Sequence, residues 1–332
     1  MVQGPAMASD DAWMIHRIRL GRSNLELPRL GVGAMTWGSP SGRSRWGPAK
    51  LAYGGPSGPE EEQRAFAASL SAGVDLFDTA AMYSGGASER RLGELADGKS
   101  VVIATKFPPG WLSRAEALPG ALDQSLGRLR RSSIDLYQHH FPSRRISIPS
   151  LMGFMADAVE AGKVRAIGVS NYSAAQLRIA HAALAERGIA LASNQVEYSL
   201  LHRAPEVNGV LEACGELGIT LIAYQPLAQG VLTGKYRPGD RPKGIRRFGR
   251  YFRGDGLKKA QPVVALLREI GDRYSKTPAQ VALRWLMERE GVLPIPGAKN
   301  GRQAASNAEA LSFSLVAAEI QALDRATIAW RR

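Results

Sequence analysis

A chain of 332 residues with 45% apolar side chains can bury a large core, and this length suits one α/β barrel or two smaller domains. It contains no run of the roughly 18 apolar residues a membrane span needs, and the start MVQGPAMASDDAWMIHRIRL lacks the apolar centre of a signal peptide. A cytoplasmic chain with no membrane partner is expected; the single cysteine, Cys214, excludes an internal disulfide and a multi-cysteine metal site, and the net charge of +13 raises nucleic acid as a partner to be tested.

In chain order, residues 1–13 read as a disordered leader and residues 14–332 as one domain. MIHRIRLGRSNLELPRL has the pattern of a short hairpin that would cap the floor of a barrel. From there one unit recurs, an apolar and β-branched run succeeded by an amphipathic helical stretch. The runs are LGVGAM (30–35), GVDLFDTA (73–80), SVVIATK (100–106), SIDLYQHH (133–140), KVRAIGVS (163–170), LASNQVEY (191–198), ITLIAYQP (219–226) and GVLPIPGA (291–298). Because they are near-continuously apolar, they predict strands buried on both faces, as in a parallel sheet. Helices are expected over 59–73, 173–188 and 278–291; the first has Pro and three Glu at its start and Gly at its end, as helix termini prefer. About eight such units close a (β/α)8 barrel, the TIM barrel. The competing doubly wound sheet would carry a glycine fingerprint after its first strand, and Gly31-Val32-Gly33-Ala34-Met35-Thr36 lacks the third glycine. Between Pro226 and Gly291 lies the main irregularity. There, residues 241–259 hold eight basic residues against one acidic, more than half the net excess, and read as an extended mouth loop leading to a helical stretch near Pro262 to Tyr274.

The chemistry lies in what ends the strands. Asp78, Lys106 and the pair His139-His140 close three consecutive runs, and in a parallel barrel those ends share one mouth. A carboxylate and an ammonium buried there cost several kcal/mol unless paired, so Asp78 and Lys106 are expected partners. Tyr83, in the loop TAAMYSGG, is close enough in sequence to return over the mouth. A cation beside it would lower the phenol's pKa and let it act as a general acid near neutral pH. Adjacent strand residues face opposite ways, so only one of the two histidines faces the mouth, and spacing does not say which.

With FDTAAMYSGGASERRLGE, VVIATKF, SSIDLYQHHFP, AIGVSNYS, SNQVEYSLLHR, LIAYQPLAQGVLTGKY and PIPGAKNGRQAASNAEAL in this order, the chain from about Leu30 onward resembles the aldo-keto reductase family, in wording nearest its plant, cyanobacterial and bacterial branch. The resemblance implies a catalytic tetrad of Asp78, Tyr83, Lys106 and His140, the histidine being the one that directly precedes an aromatic-Pro pair, Phe141-Pro142. It implies hydride transfer from a nicotinamide, with no metal. Ser170, Asn171 and Gln195 would hold the carboxamide, and Tyr224 would stack on the ring. Gln225, Pro226, Leu227, Gln229, Gly230, Leu232 and Lys235 would form the pyrophosphate loop, under a basic segment that closes electrostatically over the cofactor. Gly297, Lys299, Arg302, Gln303 and Asn307 would form the adenosine 2′-phosphate site, favouring NADPH over NADH. Ser306 stands where the family often has Glu, and Gly297 where many members have Lys.

Trp37, Tyr53, Phe107, Trp111 and Phe141 lie on or after strand ends and are candidates for an apolar, aromatic substrate pocket, suited to an aromatic or apolar aldehyde; pyridoxal is one such aldehyde. RRFGRYF interleaves cations with aromatics as single-strand nucleic-acid binders do, and the fold also serves as a regulatory subunit. The tetrad favours an enzyme, because a binding module has no need of an Asp-Lys pair beside a tyrosine. The expected partner is therefore a small carbonyl compound and not nucleic acid. The same site also serves an alcohol dehydrogenase, and the sequence names no oligomeric partner.

Overall fold

The computed structural model describes residues 17–39, 57–107, 114–143, 145–242 and 244–331. The expected leader, and Tyr53 and Trp111 of the expected pocket, lie outside the described residues.

Strands β1 (Arg17–Arg19) and β2 (Glu26–Pro28) pair antiparallel, forming the expected hairpin. Eight further strands then run parallel, each beside its predecessor. They are β3 (Val32–Gly33), β4 (Leu76–Asp78), β5 (Val102–Phe107), β6 (Ile134–His139), β7 (Val164–Ser170), β8 (Leu191–Glu197), β9 (Thr220–Tyr224) and β10 (Val292–Pro294). The first and last meet: the amides of Gly31 and Gly33 donate to the carbonyls of Pro294 and Pro296, each at 3.0 Å, and Gly33 bridges Gly297. That contact closes the barrel.

Strand alternation divides the core in two. Leu76, Ala104, Leu136, Ala166, Ile222 and Leu293 point into the barrel and pack with Leu20, Leu25 and Leu27 of the hairpin segment, so the hairpin plugs the floor with apolar side chains. Phe77, Ile103, Tyr137, Ile167 and Leu221 point outward into the larger core beneath the helices. Those helices are α1 (Pro59–Ser71), α2 (Ala87–Leu95), α3 (Leu118–Leu129), α4 (Ile148–Glu160), α5 (Ala174–Ala185), α6 (Val210–Leu217), α7 (Gly256–Arg273), α8 (Pro278–Met287), α9 (Gly301–Ala308) and α10 (Ala317–Ala326). Ser173 with Gln176, and Thr277 with Gln280, form capping boxes that start α5 and α8 close to where the sequence places them. Among the described residues, no helix is long and apolar enough to cross a membrane.

The basic segment departs from its expected form. Gly244–Phe248 makes a short 3-10 turn, and the helix expected near Pro262, α7, already begins at Gly256, taking Lys258 and Lys259 of the expected loop into it. Leu257, Ala260, Val263, Val264 and Leu267 recur at helical spacing and are buried, and this burial outweighs the one backbone donor that Pro262 removes.

Inside the barrel, close approach requires glycine at position 168. A Cβ there would lie 2.3 Å from Ser193 Oγ and 2.9 Å from Gln138 Cγ. Gly168→Ala is expected to destabilise the fold by about 1–3 kcal/mol through overpacking, and Ser193→Ala in the same chain should return most of that loss. Chemical denaturation of the two single variants and the double variant measures the coupling; strictly additive losses would contradict the packing described.

Candidate active site

Asp78 is the last residue of β4 and Lys106 lies near the end of β5, two positions beyond the inward Leu76 and Ala104. Alternation therefore turns both side chains inward, at the top of the barrel interior. Lys106 is fully buried. Its Nζ donates to Asp78 Oδ1 at 2.5 Å and to the Thr79 carbonyl at 2.8 Å, and lies 5.0 Å from the centre of the Tyr83 ring. Burial alone depresses the ammonium, but Asp78 and Tyr83 outweigh it and hold the Lys106 pKa above its ordinary value. Asp78 Oδ2 accepts from Gln195 Nε2 at 2.8 Å and from Gln138 Nε2 at 3.3 Å, so every donor around the carboxylate serves its ionised form.

Tyr83 opens a tight turn in which Ser84, Gly85 and Gly86 all have positive φ, returning the chain into α2. Its expected pKa needs correction. Lys106 does pull the phenol down, but burial pushes it up by more and Asp78 adds to the rise, so the phenol stands above its ordinary value. Tyr83 is a protonated donor at rest.

The histidine ambiguity resolves along β6. Leu136 and Gln138 face in, Tyr137 and His139 face out, and His140 returns to the mouth, its ring edge-on to Tyr83 at 5.7 Å. His139 packs against Phe107, with Nδ1 2.8 Å from Tyr172 Oη. Burial pushes His139 down to about 4; burial, Lys106 and His139 push His140 down to about 3. Both imidazoles are neutral at physiological pH.

Around the mouth, the expected carboxamide residues form one network. Ser170 Oγ and the Asn171 amide both donate to the Gln195 carbonyl, at 2.8 and 2.9 Å. Asn171 Nδ2 donates to the His140 carbonyl and to Ser170 Oγ, and Tyr224 Oη donates to Asn171 Oδ1 at 3.0 Å. After β9, Gln225, Ala228, Gln229 and Gly230 all have positive φ. Three non-glycine residues in that region cost on the order of 1–3 kcal/mol each and are typical of loops shaped around a ligand. Pro226 and Leu227 belong to the same turn, and buried Leu232 anchors it in the outer core. Lys235 Nζ approaches Gly230, and Arg246 Nη1 donates to the Gln229 carbonyl at 3.1 Å. Lys299 is lowered by burial first, then by Arg246 and Lys235. Cations from three separate segments thus crowd one loop.

At the start of α9, Asn300 caps the helix, the Lys299 amide donates to Gln303 Oε1 at 2.8 Å, Arg302 is exposed, and Asn307 Nδ2 donates to the Gly297 carbonyl. Ser306 is turned toward α8, where its carbonyl accepts from Gln280 Nε2 at 2.9 Å.

The structure divides the basic segment rather than laying all of it over the groove. Arg246 faces the Gln229 loop, whereas Arg250 is bound to Glu197 and lies 2.8 Å from His202 Nδ1. Arg247 stacks on exposed Phe248. The aromatic pocket is corrected as well. Trp37 and Phe107 are fully buried in the outer core, Trp37 donating to the Ala298 carbonyl at 2.7 Å, so neither can line the mouth. Phe141, 40% exposed and stacked on His140 at 4.5 Å, remains available to a ligand. Sequence reasoning missed Gln138, whose signal was an amide on an inward position of an otherwise apolar strand.

Neutral buried histidines set a pH dependence. A lowered folded-state pKa means the unfolded chain binds more protons, so stability is complete above the ordinary histidine value near 6.5 and declines as pH falls from there toward 4. Melting temperature measured from pH 8 to 4 should show this decline, with a shallower slope in His140→Gln; identical slopes would contradict the burial of His140.

Comparison with known proteins gives the site its family. The aldo/keto reductase family profile matches residues 29–328. An uncharacterized oxidoreductase of Mycobacterium tuberculosis is 38% identical over 316 residues, 92% of this chain and 91% of its own length. The chloroplastic pyridoxal reductase of Arabidopsis thaliana is 34% identical over 320 residues, 91% of this chain and 83% of its own. A crystal structure of a thermostable aldo-keto reductase bound to the inhibitor epalrestat superposes with a TM-score of 0.75 at 28% identity, covering 94% of this chain and 99% of that one. With the profile spanning nearly the whole barrel, this chain belongs to the aldo/keto reductase family of oxidoreductases.

Proposed function

We propose that this protein reduces an apolar or aromatic aldehyde to its alcohol with NADPH, using Tyr83 as the proton donor. The observation that carries the reading is the Lys106 ammonium held between the Asp78 carboxylate and the Tyr83 ring at the barrel mouth. The surroundings suit a dinucleotide. Lys235, Arg246 and Lys299 crowd a left-handed loop of the kind that suits an anion, and the polar side chains of Ser170, Asn171 and Gln195 gather beside Tyr224, as a carboxamide and a flat ring require.

When bound, the nicotinamide supplies a hydride to the carbonyl carbon. Tyr83 gives its hydroxyl proton to the carbonyl oxygen, so carbonyl and dihydronicotinamide become alcohol and oxidised cofactor. Lys106 stabilises the phenolate left behind, and Asp78 keeps Lys106 charged and aimed. His140, neutral across the working range, orients the carbonyl oxygen by hydrogen bonding and is not itself the acid. A raised phenol pKa supports the reductive direction near neutral pH, because the acid is already loaded; alcohol oxidation would need alkaline conditions to unload it. Exposed Phe141 suits a flat substrate, and the similarity to a pyridoxal reductase makes pyridoxal the first aldehyde to try. Lys299 and Arg302, beside the N-terminus of α9, suit the extra phosphate of NADPH.

Tyr83→Phe should lower the turnover of aldehyde reduction by roughly 10²–10⁴-fold while NADPH still quenches tryptophan fluorescence; retained turnover would remove Tyr83 as the acid. Charge reversal at Lys299 and Arg302 should weaken NADPH at least tenfold more than NADH in fluorescence titrations, and equal losses for both would reject the phosphate assignment.

A further inference from the structure

Beneath the phenol, Asp78, Gln138 and Gln195 form a closed ring of hydrogen bonds. Gln195 Nε2 and Gln138 Nε2 both donate to Asp78 Oδ2, at 2.8 and 3.3 Å, and Gln195 Nε2 also donates to Gln138 Oε1 at 3.4 Å. All three side chains are buried, and Gln138 pairs in register with Lys106 on the neighbouring strand. A carboxylate only accepts, so both amides must turn their NH2 groups toward it; chemistry fixes the two orientations. Gln138 Oε1 is then the acceptor for the second N–H of Gln195. With both its hydrogens engaged, Gln195 has only its carbonyl oxygen left to offer a ligand.

We propose that Gln138 is a positioning residue that locks the Gln195 amide with its oxygen toward the mouth, so that the site reads the NH2 of the cofactor's carboxamide. The inference rests on the proposed nicotinamide function. Gln138 touches neither cofactor nor substrate; it acts through Gln195. Without it, Gln195 is held by the single bond to Asp78 Oδ2, about which its amide plane can pivot, so that the second N–H turns toward the mouth and meets the carboxamide's own donors.

The probes are NADP⁺ and its 3-acetylpyridine analogue, which replaces the carboxamide NH2 with a methyl group, each titrated by tryptophan fluorescence on the full chain. The wild-type protein should bind the carboxamide form roughly five- to tenfold more tightly, the worth of about one hydrogen bond. Gln138→Met should bring that ratio to below about twofold. Gln138→Glu separates hydrogen bonding from packing: a protonated carboxyl donates to Asp78 and accepts from Gln195, while a carboxylate faces Asp78 with no hydrogen to give. This variant should keep the preference at about pH 6 and lose it at about pH 9. Lys106, Tyr83 and His140 surround the ring and do not change charge in that interval, since Lys106 and Tyr83 titrate above their ordinary values and His140 near 3.

A wild-type preference that survives Gln138→Met overturns the proposal, as does a Gln138→Glu ratio that ignores pH. Should Gln138→Met fail to fold, the pH dependence of Gln138→Glu decides alone. A wild-type protein that binds neither dinucleotide overturns the nicotinamide reading itself, an outcome distinct from binding without discrimination.

Discussion

One buried ammonium organises this molecule's functional end. Lys106 is wholly removed from water, and an ion of that size costs several kcal/mol to bury unless its charge and hydrogens are answered. The barrel answers with a carboxylate from the preceding strand and a carbonyl from the turn just after it. Asp78 in turn needs its second oxygen satisfied, which brings in two amides from β6 and β8. A single lysine thus draws in a cluster from four strands. Removing either charge would strand the other, a change that typically costs about 3–5 kcal/mol, so the pair constrains folding and chemistry together.

The architecture makes such a cluster possible because alternation sorts side chains along β4, β5 and β6, and a register shift where β8 meets β7 turns Gln195 inward as well. Below the pair, the interior is aliphatic and sealed by hairpin leucines; above it, the interior turns polar. The polar layer therefore rests on a dry floor, and the field of Lys106 is directed toward Tyr83 and whatever occupies the mouth. His140 shares that environment and loses basicity, remaining neutral where an exposed imidazole would titrate. Farther out, the basic segment works in parts: Arg246 meets the Gln229 loop, while Arg250 ties the segment to Glu197 at the end of β8.

Much of this was legible in the residues. Continuous apolar runs marked the parallel strands, and the ionisable residues that end them marked the mouth, because both signals are local and strong. Less local features escaped. Trp37 and Phe107 lie at strand ends just as Phe141 does, yet they are buried in the outer core, since which face an aromatic takes depends on register and not on proximity to an end. Tyr83's raised pKa reflects how much protein surrounds its hydroxyl, a quantity sequence spacing does not carry. The helix expected near Pro262 to Tyr274 starts earlier than its glycines and basic residues suggested, because buried Leu257 and Ala260 extend its apolar face back to Gly256. Gln138 was visible as an anomaly in IDLYQHH, but its meaning depends on Asp78 and Gln195 reaching it from distant parts of the chain.

The central claim is that burial raises the Tyr83 phenol's pKa and the Lys106 ammonium, held by Asp78, offsets part of that rise. Its most direct test is the alkaline titration of Tyr83, taken as the difference in tyrosinate absorbance between each protein and its Tyr83→Phe counterpart, in the wild type and in Lys106→Met. The account predicts a Tyr83 midpoint above that of free tyrosine in the wild type and higher again in Lys106→Met, where burial acts without an opposing cation. A midpoint that stays the same or falls when Lys106 is removed would contradict it.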